Sequence, residues 1–499
     1  MAATQREIER KYASDGGPLP DLTAVTGVAA VRGQGLLALD ATYYDTADER
    51  LAAASLTLRR RTGGADAGWH LKIPVAPGVR DEIRSPLSDT VPQEIAALVR
   101  SRVRTAELIP VVRLRSARDV RHLLAADGTL LAEASVDTVT AERLNRDGGT
   151  ARWTEIEVEL ADGVDPAFLD RVEERLREAG VRPSTSPSKL ARALERTGGT
   201  AARTRKAPRP VTAGDHVLAH LRAQRDAIVA HDLAVRRDLP DAVHRMRVAT
   251  RRLRSAFRTF GTVLDRSATD PIAAELKWLA GELGAERDQE VLADRLTTAL
   301  DALPPTLATG PARDRLAAWD RARHDHTHRR LLAVLDSARH LALLDALDAL
   351  LADPPLRGRA AGKPDKVLAK ALRKDLAKVS RLVTAALGLP PGRERDTALH
   401  EARKKAKRTR YAAEAAAPAL GRPAHSLAAS MKSLTSLLGD HQDSVMARRT
   451  LRELAAVAHA AGESAFPYGV LYGREERRAA ATEARLPSLW KEIDSGTSG

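Results

Sequence analysis

The chain has 499 residues, 29% of them charged, with a net charge of +14, 3% aromatic residues and no cysteine. That length exceeds what one hydrophobic core supports, so two or three domains are expected. Without cysteine there is no disulfide framework and no thiolate metal site.

No apolar run is long enough to span a bilayer, and the opening MAATQREIERKY lacks a signal core, which makes the cytoplasm the expected compartment. The positive excess favours a polyanionic partner, and it is unevenly placed. Residues 1–200 carry 28 Lys and Arg against 30 Asp and Glu, so of the whole-chain 80 and 66 the remainder holds 52 and 36. The polyanion argument therefore belongs to residues 201–499. Few aromatics leave little material for stacking successive bases, which argues against single-stranded nucleic acid.

Up to residue 196 the sequence consists of short alternating segments, EIERKY, LTLRRRT, WHLKI, VVRLRS and WTEIEVEL, punctuated by TGGADAG, APG, ADG and DGG. This pattern predicts antiparallel strands joined by turns. DPAFLDRVEERLREAG reads as a helix, capped by Asp and Pro and closed by Gly. Alternation puts Glu7, Glu9 and Lys11 on one face, and Glu155, Glu157 and Glu159 on another with Ile156, Val158 and Leu160 opposite. Arg59 and Arg61, His70 and Lys72, and Arg113 and Arg115 pair off in the same way.

A one-sided sheet would turn such faces to water. Several faces made only of ionisable residues, in separate acidic and basic sets, point instead to a closed barrel with a polar lumen. There carboxylates would hold Mg²⁺ or Mn²⁺ while arginines and lysines grip phosphate oxygens, the combination that phosphoryl transfer requires. No GxxxxGK[ST] loop is present.

These segments resemble the CYTH family, the triphosphate tunnel metalloenzymes, over about residues 1–196. EIERKY is similar to its ExExK signature, and YYDTADERLAAASLTLRRRTGG, WHLKIP, RDEIRSP, EIEVEL and SKLARAL follow in family order. The resemblance implies an eight-stranded antiparallel β-tunnel that hydrolyses or cyclises triphosphates with a divalent metal. It implies Glu7, Glu9, Glu157 and Glu159 as metal ligands, with Glu155 as a substitute. Arg59, Arg61, Lys72, Arg80, Arg113, Arg115 and Lys189 would bind substrate, and Lys11 and Asp137 would serve the reaction, Asp137 by completing the metal site or orienting water.

Residues 197–215, TGGTAARTRKAPRPVTAGD, read as a basic linker. From about Val217 the chain is rich in Ala, Leu and Arg with helical spacing, broken by LPPTLATGP and DPPLRGRAAGKPD. HRMRVATRRLRSAF and HEARKKAKRTRYAA repeat one layout. His244, Arg247, Arg251, Arg252 and Arg254 match His400, Arg403, Lys407, Arg408 and Arg410 at identical spacing, with Lys404 inside the second copy. LGAERD and LGDHQD follow in register, so the region is duplicated, about 216–352 and 366–490, with a tail at 491–499.

His244, Arg247, Arg251, Arg254 and Arg258 share one helical stripe, opposite Met246, Leu253, Phe257, Phe260 and Leu264. In the second copy the packing positions carry Ala402, Thr409, Ala413, Ala416 and Leu420, which predicts closer helix approach. The cationic stripes predict anion binding. They resemble the conserved histidine α-helical domain, CHAD, over about residues 212–490. That resemblance implies two pseudo-symmetric helical bundles around a basic surface for inorganic polyphosphate.

The whole is expected to combine an α+β tunnel with an all-α domain. Its expected function is divalent-metal-dependent hydrolysis of tripolyphosphate or a related triphosphate, with polyphosphate docking and association with polyphosphate granules. The alternatives are a granule-targeting protein with little catalysis, a nucleoside or thiamine triphosphatase, and an adenylate cyclase.

Overall fold

The structure, a computed structural model, describes residues 3–64, 66–145, 148–198 and 209–497. The chain divides into two compact units, Met1–Ala207 and Pro208–Gly499. Of the expected linker, residues 199–208 lie outside the described residues.

The first unit contains β1 (Ala3–Ser14), β2 (Ala30–Asp45), α1 (Arg50–Ala53), β3 (Thr57–Thr62), β4 (Gly68–Ala76), β5 (Val79–Ser85), α2 (Gln93–Val103), β6 (Ile109–Leu124), β7 (Leu130–Arg143), β8 (Thr150–Leu160), α3 (Ala167–Glu178), β9 (Arg182–Pro183) and α4 (Lys189–Arg196). Eight antiparallel strands run in the order β5, β4, β3, β2, β6, β7, β8, β1, and a further β1–β5 pairing closes them into a barrel. The two-residue β9 sits beside β1.

Directly opposed residues of antiparallel strands share a face, so the register assigns the lumen. Lys11 stands opposite Glu157, Glu9 opposite Glu159 and Glu7 opposite Arg80. Asp137 stands opposite both Arg118 and Glu155. The alternate residues Tyr12, Ile156 and Val158 form an outer apolar face, buried with Phe168, Leu169, Val172 and Leu176 of α3. The usual layering is therefore inverted, with charge inside and hydrocarbon outside beneath a helix.

At another part of the barrel, Leu190, Ala193 and Leu194 of α4 pack with Leu114, Val139 and Trp153. Ser188 caps α4 by accepting from Ala191 N at 3.1 Å. The β3–β4 turn depends on Gly63, whose φ of +80° suits glycine and where a Cβ would lie 2.4 Å from Ala38 O.

The second unit is all helical: α5 (Ala213–Arg236), α6 (Ala242–Thr259), α7 (Arg266–Asp301), α8 (Ala312–Asp336), α9 (Ala338–Ala352), α10 (Pro364–Leu387), α11 (Arg393–Leu420), α12 (Arg422–Ala460) and α13 (Phe466–Thr497). α5 begins inside the expected linker because Thr212 and Asp215 form a capping box. α13 likewise runs on through the stretch expected as a tail.

Met246, Leu253, Phe257, Phe260 and Leu264 are all buried. Ala412, Ala413, Ala415 and Ala416 of α11 enter the same core as these α6 side chains, small residues that let the helices approach closely. A second cluster joins α10, α11, α12 and α13. The glycines of the two LG markers have a shared use: a Cβ on Gly284 would lie 3.1 Å from Arg247 Nη2, and one on Gly439 3.3 Å from Arg403 Nη2. Each marker makes room for the arginine one turn past the repeated histidine.

Candidate functional site

The barrel encloses a cavity of about 420 Å³. Its lining includes Glu7, Glu9, Lys11, Arg59, Arg61, Lys72, Arg80, Glu157, Glu159 and Lys189, ten side chains from β1, β3, β4, β5, β8 and the first turn of α4. Arg84, Arg118 and Glu133 line it as well.

The acidic and basic groups interleave. Lys11 donates to Glu9 at 3.0 Å and to Glu157, and Lys72 donates to Glu7 and lies 3.5 Å from Glu82. Arg118 spans Asp137 at 2.8 Å and Glu157 at 2.7 Å. Lys189 reaches Asp137 and Glu155, each at 2.9 Å, and Glu157 at 2.5 Å.

The electrostatics leave two imbalances in this one cavity. Burial alone would raise Glu9, but Lys11, Lys72 and Arg80 outweigh it and hold the carboxyl at about 2. Glu159 has no such support: burial, with Glu7, Glu9 and Glu157 nearby, pushes its carboxyl up to about 7 despite Lys72. Among the described residues Glu159 makes no ion pair. Conversely, burial with Arg59 and Arg118 pulls the Arg61 guanidinium down to about 9, even though Asp66 pairs with it. Negative charge is in excess around Glu159, and positive charge around Arg61.

Several expected positions differ. Arg113 and Arg115 lie on the outer face, where Arg113 pairs with Asp40 at 2.6 Å and Arg115 approaches Asp40 and Glu142 at 4.0 Å. The cause is register: they oppose Thr42 and Asp40, whereas Leu114 opposes Ala41. The lumenal arginine of β6 is Arg118, of opposite parity.

Asp137 is fully buried behind Arg118 and Lys189, outside the cavity lining. Glu155 is also set back, its Oε2 accepting from Trp153 Nε1 at 2.7 Å and Arg192 at 3.1 Å. Sequence reasoning missed Glu82, whose carboxylate accepts from His70 Nδ1 at 3.0 Å and also meets Lys72, Arg59 and Arg84. RDEIRSP carried that signal, since Glu82 shares parity with Arg80 and Arg84.

Asp137, Glu155 and Glu157 offer oxygens close enough together for a cation, but the Lys189 ammonium already contacts all three. Glu7, Glu9, Glu157 and Glu159 all line the cavity, and carboxylate oxygens are the ligand type of a hard divalent ion.

In the helical unit a basic cleft of about 1140 Å³ takes Arg251, Arg254, Arg258 and Ser255 from α6 and Lys404, Lys407 and Arg408 from α11. Lys277 of α7 and Lys378 and Arg381 of α10 also face it. Periodicity would have offered these three only once the neighbouring helices were known. Burial lowers the Lys407 ammonium to about 7, helped by Arg251, Arg403, Arg247 and Arg410. The two duplicated stripes thus converge, and among the described residues Lys407 has no acidic partner.

The remaining expected residues lie around this cleft and do not line it. Arg247 pairs with Asp288 at 2.8 Å. Arg252 and Arg410 both bind Glu414, at 2.7 and 2.8 Å, so the acid that replaces Arg258 in the second copy offsets one of their two charges. His400 Nδ1 lies 2.9 Å from Gln442. Arg403 lies over Gly439. His244 is half-buried, its pKa lowered by burial, then by Arg287, Lys407 and Arg247, while Asp241 opposes.

Comparison with known proteins agrees with this division. The CYTH domain family matches residues 5–194 and the CHAD domain family residues 219–452. This chain contains a CYTH domain and a CHAD domain. Two uncharacterized proteins of Mycobacterium tuberculosis, from strains CDC 1551 and H37Rv, are each 38% identical to it, covering 99% of this chain and 97% of theirs.

Among solved structures, PptA from Streptomyces chartreusis is 24% identical over 56% of this chain and 100% of its own, with a TM-score of 0.47. The CHAD domain from the plant Ricinus communis is 22% identical over 57% of this chain and 92% of its own, with a TM-score of 0.45. CYTH proteins are metal-dependent triphosphatases or cyclases, so the barrel is a triphosphate tunnel by family. No described helix is long and apolar enough to cross a membrane.

Proposed function

We propose that the barrel hydrolyses tripolyphosphate or a related linear triphosphate with Mg²⁺ or Mn²⁺, and that the helical cleft binds inorganic polyphosphate. The observation that carries the first part is the pair of opposite imbalances inside one cavity. Glu159, short of positive charge, and Arg61, short of negative charge, are together complementary to a metal–triphosphate complex.

Glu7, Glu9 and Glu159 would hold the ion, with Glu157 beside them; bound, it neutralises phosphate oxygens and polarises the phosphorus under attack. Arg59, Arg61, Arg118, Lys72, Arg80 and Lys189 grip the chain and take up charge on the bridging and terminal oxygens. Asp137 acts through Arg118 and Lys189, which it fixes in place. Lys11, held between Glu9 and Glu157, keeps those two carboxylates together. The convergence of Lys407, Arg251, Arg254 and Arg408 on one cleft, where Lys407 has no acidic partner among the described residues, supports the polyanion site.

The decisive assay measures phosphate release from tripolyphosphate with each metal, against pyrophosphate, ATP, thiamine triphosphate and long polyphosphate. Tripolyphosphate is expected to be cleaved fastest, and Glu7→Gln with Glu9→Gln to abolish turnover. Release that is absent, or identical in that variant, refutes the assignment. Polyphosphate binding should persist in the same variant and weaken at least tenfold in Arg251→Ala with Arg254→Ala.

A further inference from the structure

Between α7, α8 and the turn before α6 lies a set of side chains that has no part in either site. In α8 the run HDHTH places His324 and His328 one helical turn apart, their rings stacked with centroids 5.8 Å apart. His328 Nδ1 lies 3.0 Å from Glu286 Oε1 of α7 and 4.0 Å from Asp238 Oδ1, in the turn before α6. His324 Nε2 lies 3.9 Å from Asp238 Oδ2. Ligand atoms of Asp238, Glu286 and His328 all fall within 4.8 Å of one another.

Hydrogen bonding accounts for only part of this arrangement. The His328–Glu286 bond uses one carboxylate oxygen. The other, Glu286 Oε2, is buried with no hydrogen-bond partner, in a residue only 4% exposed. A buried carboxylate oxygen without a donor is costly and calls for a counter-charge. The 3.9 and 4.0 Å approaches of Asp238 are too long for direct hydrogen bonds. Together with the 3.0 Å contact they bracket the edge of about 3.4 Å expected when ligands sit about 2.1 Å from a tetrahedral ion.

The duplicated half of the domain shows what meets the same need there. His441 of α12 and Glu483 of α13 occupy the positions of Glu286 and His328 with the residue types exchanged, 155 places later in both cases. His441 Nε2 lies 3.1 Å from Glu483 Oε1 and 3.3 Å from Asp396. Arg395 stands 3.3 Å from the second oxygen of Glu483, so a protein cation completes that cluster. At Glu286 the corresponding oxygen has no donor, and a second histidine stands nearby instead.

We infer that His324, His328, Glu286 and Asp238 form a binding site for a divalent ion of borderline softness, Zn²⁺ foremost, that ties α7 and α8 to the turn preceding α6. Two imidazoles with two carboxylates select this class over the hard ions suited to the all-carboxylate tunnel. His328 binds through Nδ1 as the neutral ring, its proton on Nε2, and His324 binds through Nε2 with its proton on Nδ1. Asp238 is exposed and His324 half-exposed, so the ion exchanges with solvent.

The test is calorimetric titration of tag-free full-length protein with Zn²⁺, in excess Mg²⁺ to occupy the tunnel. One Zn²⁺ equivalent should disappear in His324→Ala with His328→Ala, while tripolyphosphate hydrolysis under Mg²⁺ stays within twofold. Co²⁺ should give tetrahedral visible bands in the wild type that this variant lacks. Should the double variant fail to fold, His324→Asn, at a half-exposed position, must weaken Zn²⁺ binding at least tenfold. Unchanged stoichiometry and affinity in the foldable variant, or Zn²⁺ lost only on Glu7→Gln, overturns the inference.

Discussion

Glu159→Gln makes opposite demands on stability and on function. In the metal-free barrel the Glu159 carboxyl is raised from its ordinary 4.5 to about 7, by burial first and then by Glu7, Glu9 and Glu157. The folded state thus holds a proton that the unfolded chain releases near pH 4.5, so stability falls as pH rises from about 4.5 to about 7. At about 1.4 kcal/mol per tenfold, the ionised group costs up to about 3 kcal/mol above that window.

Glutamine keeps the shape and removes the charge. For a unit of this size, about 3 kcal/mol is a rise in Tm of roughly 6–12 °C. Thermal unfolding followed by circular dichroism in EDTA at pH 8.5 should show that rise, and at pH 5 little difference. The same variant should lose most of the stabilisation that Mn²⁺ confers on the wild type, with phosphate release falling at least a hundredfold. A lower Tm in EDTA at pH 8.5, or full retention of the Mn²⁺ response, refutes the reasoning.

Arg118→Met should lower kcat for tripolyphosphate by about 10²–10³, the scale for removing one preorganised donor, whereas Arg113→Ala with Arg115→Ala should change kcat and KM less than twofold; steady-state kinetics distinguishes them. Polyphosphate affinity should be greatest below pH 7 and fall at least tenfold by pH 9. The reason is that Lys407, at about 7 when free, gains a proton beside the bound anion; Lys407→Arg should flatten this dependence in a binding assay run across that range. Lys405 and Asp375 form a buried pair that Thr259 also joins. Lys405→Met should destabilise the helical unit by about 3 kcal/mol, and Lys405→Met with Asp375→Leu should recover most of it, by urea unfolding.

The alternation of EIERKY and WTEIEVEL already assigns Glu7, Glu9, Lys11, Glu157 and Glu159 to common faces, because a strand's period of two is a local property. β6 shows the limit of such reading. VVRLRSARDV carries arginines of both parities, and only pairing with β2 decides that Arg118 faces the lumen and Arg113 and Arg115 do not. Asp137 and Glu155 carry the right chemistry on the right face, yet Lys189 and Arg192 arrive from α4 and cover them. In the helical unit, repeat spacing reveals both stripes, but Glu414 engages Arg252 and Arg410 and offsets one of their two charges, an event between two helices.

The sequence by itself determined the two domain types, the inward period of the tunnel strands and the duplication, since each is written in spacing along the chain. Only the tertiary structure decided which charges remain unpaired. Pairing depends on partners from distant strands and helices, and an ion or phosphate chain is attracted by the charge those partners leave uncompensated.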